Sequence, residues 1–472
     1  MTSARKTNIG TEQINNALYD PTIQVDEETT KTPFVRHFTS NGLVYSCIYT
    51  DKEQTALVVI FNEPEFLNTS RVVPIRLHSS CANSDILGSF DCDCRSQLLR
   101  SIDILRQENG VLIHLFQEGR GAGIFSKYLG MYTMQSQSLS TYGAYEKLAF
   151  ETDGRIYSLA FKILKDMDIK KISLLSNNPK KLTAFEEAGF SVNAEQLLGE
   201  ITPQNFGYLY SKFSEGKHTI PAVFPEEGDY YFCKTASLDG TFRRTWIIDG
   251  DDTLWEDNIA YMKIVDDFIE HCLPYLQEIT EQEVRQMIDD MEEKVILEHG
   301  FGAPGFKISL ETIYANLLLS GKLIPRPTEL FESIIPTLRS QPETLTADAI
   351  AVLSKLWKRG DGLVLYTQGP LSIQFEKIAR SGLAEYFHAL CVVKSKDVSS
   401  LGRLRYDFNL DSGEFLVVGN SLRSDIEPAL QAGLRGIHFR NPNSWRVQNI
   451  SDLDESRYLS INSLTELLDL DI

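Results

Sequence analysis

A strand-like run, Thr245-Trp-Ile-Ile248, passes straight into Asp249-Gly-Asp251-Asp-Thr253-Leu254-Trp255. Residues 256 to about 358 then follow a helical pattern, with charged stretches such as Glu281 to Glu293. Strand-like runs return at Gly362–Tyr366 and Phe415–Val418. A helical block set between strands of one sheet is the organisation of a layered α/β domain with an inserted cap. Two carboxylates at i and i+2, on the turn that leaves a strand, point at one pocket. One can act as a nucleophile while the other manages a proton. The pair is also a hard-oxygen set suited to Mg²⁺.

The first half alternates in its own way. Leu43–Tyr49, Ala56–Phe61 and Val72–Leu77 read as strands. Leu98, Leu99, Ile102 and Leu105 sit at helical spacing, Val111–Phe116 reads as a buried strand, a helix is expected near 156–167, and Ile172–Leu175 is a second buried strand. Polar, turn-rich runs at Ser214–His218 and Pro225–Asp229 mark a boundary near 215–243. Within this half stand Cys81, Cys92 and Cys94. Three thiolates are one short of a closed structural zinc site and leave a coordination position free for a water. Spacing alone weighs this evenly against three buried, reduced thiols in a core.

The surrounding residues decide between them. Arg76-Leu-His-Ser-Ser-Cys81, Cys92-Asp-Cys94, Gln97, Glu118-Gly-Arg120 and Asn177-Asn-Pro-Lys-Lys181 occur in the order and near the spacing of GTP cyclohydrolase II, which this stretch resembles. The resemblance implies that Cys81, Cys92 and Cys94 hold Zn²⁺, with formate leaving after attack on the purine ring. It implies Asp153 as base and Arg155 as nucleophile in pyrophosphate release. A catalytic Tyr falls on Tyr132 if one extra residue is allowed after Lys127, with Tyr128 as competitor. Nucleotide contacts map to Arg76, Gln97, Glu118, Gly119, Arg120, Thr141, Ser176 and Lys181. The chain departs from the pattern at Ser80, where an acidic residue is usual, at Ser176 in place of Thr, and at Tyr142-Gly-Ala-Tyr145 after Thr141. These changes remove two polar groups from the expected pocket, so GTP or a related purine nucleotide is the expected substrate. No Walker A pattern occurs.

The second half resembles the haloacid-dehalogenase-like phosphatases. The resemblance implies Asp249 as nucleophile and Mg²⁺ ligand, and Asp251 as general acid/base at the same metal. Thr367 and Lys396 become phosphoryl clamps, with Lys394 as rival lysine, and Asp425 in Gly419-Asn-Ser-Leu-Arg-Ser-Asp425 a Mg²⁺ ligand. Asn420 replaces the usual first Asp of that motif.

The expectation is therefore an α/β chain of four parts: a polar arm over 1–32, a cyclohydrolase-like domain over 33–232, a linker over 233–243, and a Rossmann-like phosphatase over 244–472 with a helical cap at about 256–358. The expected function is zinc-dependent opening of the GTP imidazole ring, coupled to dephosphorylation of the product or a successor. The alternative is a phosphatase with a non-catalytic nucleotide-binding module. A net charge of −19 argues against nucleic-acid or membrane surfaces, both of which are anionic. With no signal-like or spanning apolar run, a cytoplasmic protein is expected, and the resemblance implies a homodimer.

Overall fold

The computed structural model describes residues 25–40, 42–61, 70–137, 139–219, 223–235, 242–299, 302–325, 330–340, 344–408, 414–444 and 453–470. Most of the expected polar arm, residues 1–24, lies outside the described residues, as do residues 236–241 of the expected linker. The chain forms two compact units, Met1–Glu200 with Ser211–Pro221, and Ile201–Tyr210 with Ala222–Ile472. Both are mixed α/β.

The first unit is built on an eight-stranded sheet. Its strands are β1 (Thr30–Lys31), β2 (Val35–Thr39), β3 (Gly42–Thr50), β4 (Thr55–Ile60), β5 (Val73–Ser79), β6 (Val111–Leu115), β7 (Lys171–Leu175) and β8 (Ser191–Glu195). They run in the order β1-β3-β4-β6-β5-β7-β8, with β2 paired to β3. β6, β5, β7 and β8 are parallel, and the rest of the sheet is antiparallel. The apolar runs Val73–Leu77 and Val111–Leu115 are covered on both faces, as parallel strands require. Leu159, Ala160, Ile163 and Leu164 lie on one side of the helix Ser158–Asp166 and are fully buried against this core. β5 has β6 on one side and β7 on the other, so the connections diverge there. That divergence leaves a crevice outside the carboxyl ends of the strands.

The second unit holds a seven-stranded sheet of β9 (Tyr230–Lys234), β10 (Arg244–Ile248), β11 (Gly362–Gln368), β12 (Ala389–Val393), β13 (Glu414–Gly419), β14 (Arg435–Phe439) and β15 (Leu459–Ile461). The order is β15-β14-β13-β10-β11-β12-β9, and only β9 is antiparallel. The chain diverges again at β10, between β13 and β11. Helices Asn258–Cys272, Glu281–His299, Ala303–Leu319 and Leu330–Ser340 lie in sequence between β10 and β11 and bury their own apolar cluster.

Residue 232, drawn as a domain boundary from the sequence, falls inside β9. That strand is an edge of the second sheet, pairing Phe232 with Cys391. The partner is some 160 residues away, and Tyr-Tyr-Phe-Cys-Lys shows no alternation to reveal it. Residues 201–210 also pack with the second unit. Gln204 Nε2 donates to the carbonyl of Phe387 at 2.9 Å, and the Phe206 and Phe375 rings meet edge-on at 5.8 Å.

Candidate functional site

The first site is assembled from the segments that follow β5, β6 and β7. Cys81 begins the turn after β5, and Cys92 and Cys94 precede and open the helix Cys94–Glu108. Their sulfur atoms all lie within 4.8 Å of one another, with Cys81 and Cys92 Sγ 3.6 Å apart. Three ligands bonded to a tetrahedral Zn²⁺ at ~2.3 Å have sulfurs ~3.8 Å apart, so the spacing fits that ion. The thiols share charge unequally. Hydrogen bonds from Cys92 and Cys94 pull Cys81 far below the ordinary thiol range, and the same sharing pushes Cys92 up to about 11. Lys127, on the helix Gly123–Gln137, places Nζ 3.2 Å from Cys81 Sγ and 2.7 Å from Glu118 Oε1. Glu118 Oε2 in turn accepts from the Ala82 amide at 2.8 Å. Ser80 Oγ, at the position where an acid was expected, lies 2.9 Å from His114 Nε2.

Cations converge on the same crevice. Arg76 is buried and donates to the Leu175 carbonyl at 2.9 Å and to Gln97 Oε1 at 2.8 Å. Burial lowers its pKa to about 10. Asn178 and Pro179 form the N-cap and first residue of the helix Pro179–Glu187. This start turns Lys181 back onto the sheet, where Nζ donates to the Leu77 carbonyl at 2.9 Å. Burial, with Arg155 and Arg76 nearby, holds that ammonium well below its ordinary pKa. Arg155 grips Asp153 through two bonds of 2.6 and 2.5 Å. Burial opposes the charge on Asp153, but the guanidinium outweighs it and keeps the carboxyl below its ordinary value. Arg120 adopts a left-handed backbone at φ 56° and lies over the Tyr142 ring. A Cβ on Gly121 would lie 2.5 Å from the Gly154 carbonyl, so glycine there lets the two loops touch. Buried atoms that find no partner among the described residues include Arg76 Nε, one terminal nitrogen of Arg120, Thr141 Oγ1 and Asn178 Nδ2.

The structure thus brings together Arg76, Cys81, Cys92, Cys94, Gln97, Glu118 and Gly119. It places Arg120, Thr141, Asp153, Arg155, Ser176 and Lys181 on the same unit's loops. Tyr132 stands apart, being 69% exposed on its helix. Five residues past Lys127, it lies about 140° round the helix from the face Lys127 occupies. Met131 takes that face instead, with Sδ 3.4 Å from Asn83 Nδ2 beside Cys81. Tyr128 is also exposed.

The second site lies wholly in the second unit. Asp249 follows β10, Thr367 lies in β11, Lys396 follows β12, and Asn420 and Asp425 follow β13. Lys396 is buried and contacts both Asp249 Oδ1 and Asp425 Oδ1, the latter at 2.6 Å. Lys394 is exposed and pairs at the surface with Asp229. Burial and the adjacent Asp425 push Asp249 up to about 7 against the pull of Lys396. Asp249 Oδ2 accepts from Thr253 Oγ1 at 3.1 Å. Asp251 accepts from Trp255 Nε1 at 2.7 Å, and from Gln374 Nε2 and Lys377 Nζ at 2.9 Å each. Burial opposes its charge, but Lys377 holds it lowered. Thr367 Oγ1 donates to Gln374 Oε1 at 3.1 Å. A Cβ on Gly419 would strike the Asp425 carboxyl at 2.2 Å, which explains the glycine. A cavity of about 320 Å³ is lined by Asp249, Asp251, Lys396 and Asp425, and by Tyr261 and Ile264 of the helical segment. Asp249 and Asp425 converge on one cation, and hard carboxylate oxygens so arranged fit Mg²⁺.

A mixed α/β fold with these two clusters of side chains suits a hydrolase. The family model for GTP cyclohydrolase II matches residues 24–197. GTP cyclohydrolase-2 of Vibrio parahaemolyticus is 37% identical over 179 residues, which is 38% of this chain and 88% of that protein. Riboflavin biosynthesis protein RibBA of Thermotoga maritima is 37% identical over 155 residues, 33% of this chain and 40% of that protein. The chain belongs to the GTP cyclohydrolase II family. Among solved structures, a haloacid dehalogenase-like family hydrolase from Xanthomonas campestris matches 49% of this chain and 97% of its own, at 26% identity and TM-score 0.38. The HAD-hydrolase YfnB from Bacillus subtilis, bound to magnesium, matches 49% and 100%, at 19% identity and TM-score 0.36.

Sequence reasoning missed Lys127, Asp93 and Lys212 in the first site, and Gln374 and Lys377 in the second. Gln374 and Lys377 stand three apart on the helix Leu371–Ser381 and could have been read as one helical face. Lys212 carried no signal, because it stands in the last turn of the helix Pro203–Ser214, outside every motif.

Proposed function

We propose that the first unit opens the imidazole ring of GTP by hydrolysis, releasing formate and pyrophosphate. We propose that the second unit is a Mg²⁺-dependent phosphomonoesterase acting on the resulting pyrimidine ribosyl phosphate or a close successor. The observation that supports this most is the trio of thiols within 4.8 Å, set beside buried Arg76 and Lys181. A soft three-thiolate set flanked by cations suits a metal on one side and nucleotide phosphates on the other. Cys81, Cys92 and Cys94 would hold Zn²⁺, whose open position supplies a water of pKa near ~7.

The chain's own groups do the rest. Arg76, Arg120 and Lys181 bind phosphate oxygens, and the unspent donors of Arg76 and Arg120 are what an anion would fill. Arg155 is the nucleophile toward the α-phosphorus and Asp153 takes its proton, since a free guanidinium is protonated and unreactive. In the second unit Asp249 attacks the phosphomonoester and Asp251 moves the leaving group's proton. Lys396 and Thr367 hold the transferring group. Asp249 and Asp425 would hold Mg²⁺, which neutralises charge on the phosphoryl oxygens. The helices between β10 and β11 act as a cap, and their Tyr261 and Ile264 offer an apolar wall for a ring.

The deciding experiment feeds GTP to the whole protein and identifies the products by mass. Formate, pyrophosphate and a dephosphorylated pyrimidine riboside are expected. Cys92→Ser should stop formate release, and Asp249→Asn should stop at the phosphorylated product. GTP returned intact by a folded, metal-replete protein would sink the cyclohydrolase reading. The exposure of Tyr132 favours a second reading, a nucleotide-binding module beside a working phosphatase. On that reading GTP binds unchanged and Asp249→Asn alone has an effect.

A further inference from the structure

Asp93 stands between the two thiols of the Cys-Asp-Cys turn and is the N-cap of the helix Cys94–Glu108. An Asp there ordinarily spends its carboxylate on backbone N–H groups of the first turn. This one makes no such bond. One oxygen takes Lys212 Nζ at 2.8 Å, and the other takes Gln97 Nε2 at 2.5 Å. Gln97 passes the connection to Arg76, which in turn bonds the Leu175 carbonyl. Asp93 is 4% exposed and the Lys212 side chain 13%.

The segment carrying Lys212 is tied down at several points. Glu215 Oε2 accepts from Ser140 Oγ at 3.1 Å, and the Thr219 amide donates to the Asn177 carbonyl at 3.1 Å. A Cβ on Gly216 would collide with the Tyr142 hydroxyl at 2.2 Å. These are the loops after β6 and β7 that frame the crevice. A polar segment outside every motif therefore reaches into the metal turn and the arginine behind it.

We propose that Lys212 is a positioning residue for the ring-opening site, fixing the Cys-Asp-Cys turn through Asp93 and orienting Arg76 through Gln97. The inference rests on the cyclohydrolase reading above. Lys212 acts through its bond to Asp93. It neutralises a buried carboxylate that would otherwise seek the backbone donors of the helix or repel the adjacent thiolates. Partners behind metal ligands of this kind are worth about 10–100-fold in metal affinity or activity when removed.

The test compares wild type, Lys212→Met, Lys212→Arg, Asp93→Asn and the Lys212→Met/Asp93→Asn double variant as full-length protein. Three quantities are read: the rate at which a chromophoric chelator strips bound Zn²⁺, and KM and kcat for formate release from GTP. Lys212→Met should lose zinc about tenfold faster, with a raised KM for GTP. Lys212→Arg should recover most of both. The double variant should be no worse than the poorer single variant, because both act through one contact. Should Lys212→Met not fold, Asp93→Asn and Lys212→Arg still carry the comparison, since each keeps the side chain's bulk. Zinc retention and KM equal to wild type in Lys212→Met, or fully additive losses in the double variant, overturn the positioning role. A wild type that neither holds zinc nor releases formate overturns instead the reading beneath it.

Discussion

The two sites occupy the same place in their sheets and are wired in opposite ways. Each lies beyond the carboxyl ends of parallel strands, where the connections diverge. The first crevice is rich in cations and leaves buried donors unspent on Arg76, Arg120 and Asn178. Such groups cost stability, because a buried polar atom without a partner forfeits its hydration. They make sense as places for an anion with many oxygens. In the second site Asp249, Asp251, Thr367, Lys396 and Asp425 all have partners within the unit. Lys396 stands between two carboxylates where a divalent cation could share the work. On the proposed reading a nucleotide takes up the free donors of the first site, and the second is a closed set of charges that a small cation and a phosphoryl group enter.

The sharpest way to break this comparison is to disable each site alone. Cys92→Ser should lower formate release by at least about 10³-fold while leaving hydrolysis of a generic phosphomonoester within twofold. Asp249→Asn should do the reverse, since removal of a nucleophile leaves little beyond binding. Loss of both activities in either variant would show that the sites are not independent.

Removing Lys396 tests the charge set directly. In Lys396→Met, buried Asp249 and Asp425 face one another without a cation. Breaking a buried pair by deleting one partner costs about 3–5 kcal/mol. We expect that loss in EDTA, by urea unfolding of the full chain, and partial recovery in millimolar Mg²⁺. Equal stability of the variant and wild type in EDTA would mean that the lysine does not compensate those carboxylates.

Much of this architecture is legible in the sequence where a motif directly follows an apolar run. Cys81 after Val73–Ser79 and Asp249 after Thr245–Ile248 are such cases, because the strand fixes where the next residue points. Tyr132 shows the limit: one residue of slippage on a helix is a turn of about 100°, and a motif match does not feel it. It leaves Tyr132 exposed and Met131 beside Asn83. Asp93 was visible inside Cys-Asp-Cys, but its partner Lys212 lies 119 residues away, in the last turn of a helix outside every motif. β9 was hidden for the same reason, since edge pairing with β12 is decided by a tertiary neighbour and not by alternation.

A pair of threonines sharpens the contrast at smaller scale. Thr141 is buried with an unpartnered hydroxyl, and Thr367 is buried and bonded to Gln374. Replacing an orphan hydroxyl by a methyl removes a cost, so Thr141→Val should leave apo stability unchanged or raise it by up to about 1 kcal/mol. The same variant should weaken GTP binding, measured by calorimetry. Thr367→Val strands the Gln374 carbonyl oxygen and should cost about 1–3 kcal/mol. If both variants lose stability alike, the first site's hydroxyl is not the unfinished group described here.

A last test concerns a carboxylate outside both sites. Glu292, on the helix Glu281–His299, has its pKa pushed up to about 8 by burial and by Asp289, where Asp249 has a lysine to offset the same forces. In the unfolded chain a Glu gives up its proton near ~4.3. Between there and about 8 the folded chain therefore binds more protons than the unfolded one, and stability falls as pH rises across that window. Above it the penalty is constant. Glu292→Gln has no proton to lose, so its advantage over wild type should be absent near pH 4, grow through neutrality and level off past about 8. Thermal melts of both proteins across that range read the difference directly. A constant offset at every pH would assign the effect to packing. A gap that shrinks with rising pH would mean that Glu292 is ionised and satisfied in the folded chain, and that uncompensated burial of carboxylates is not what separates it from Asp249.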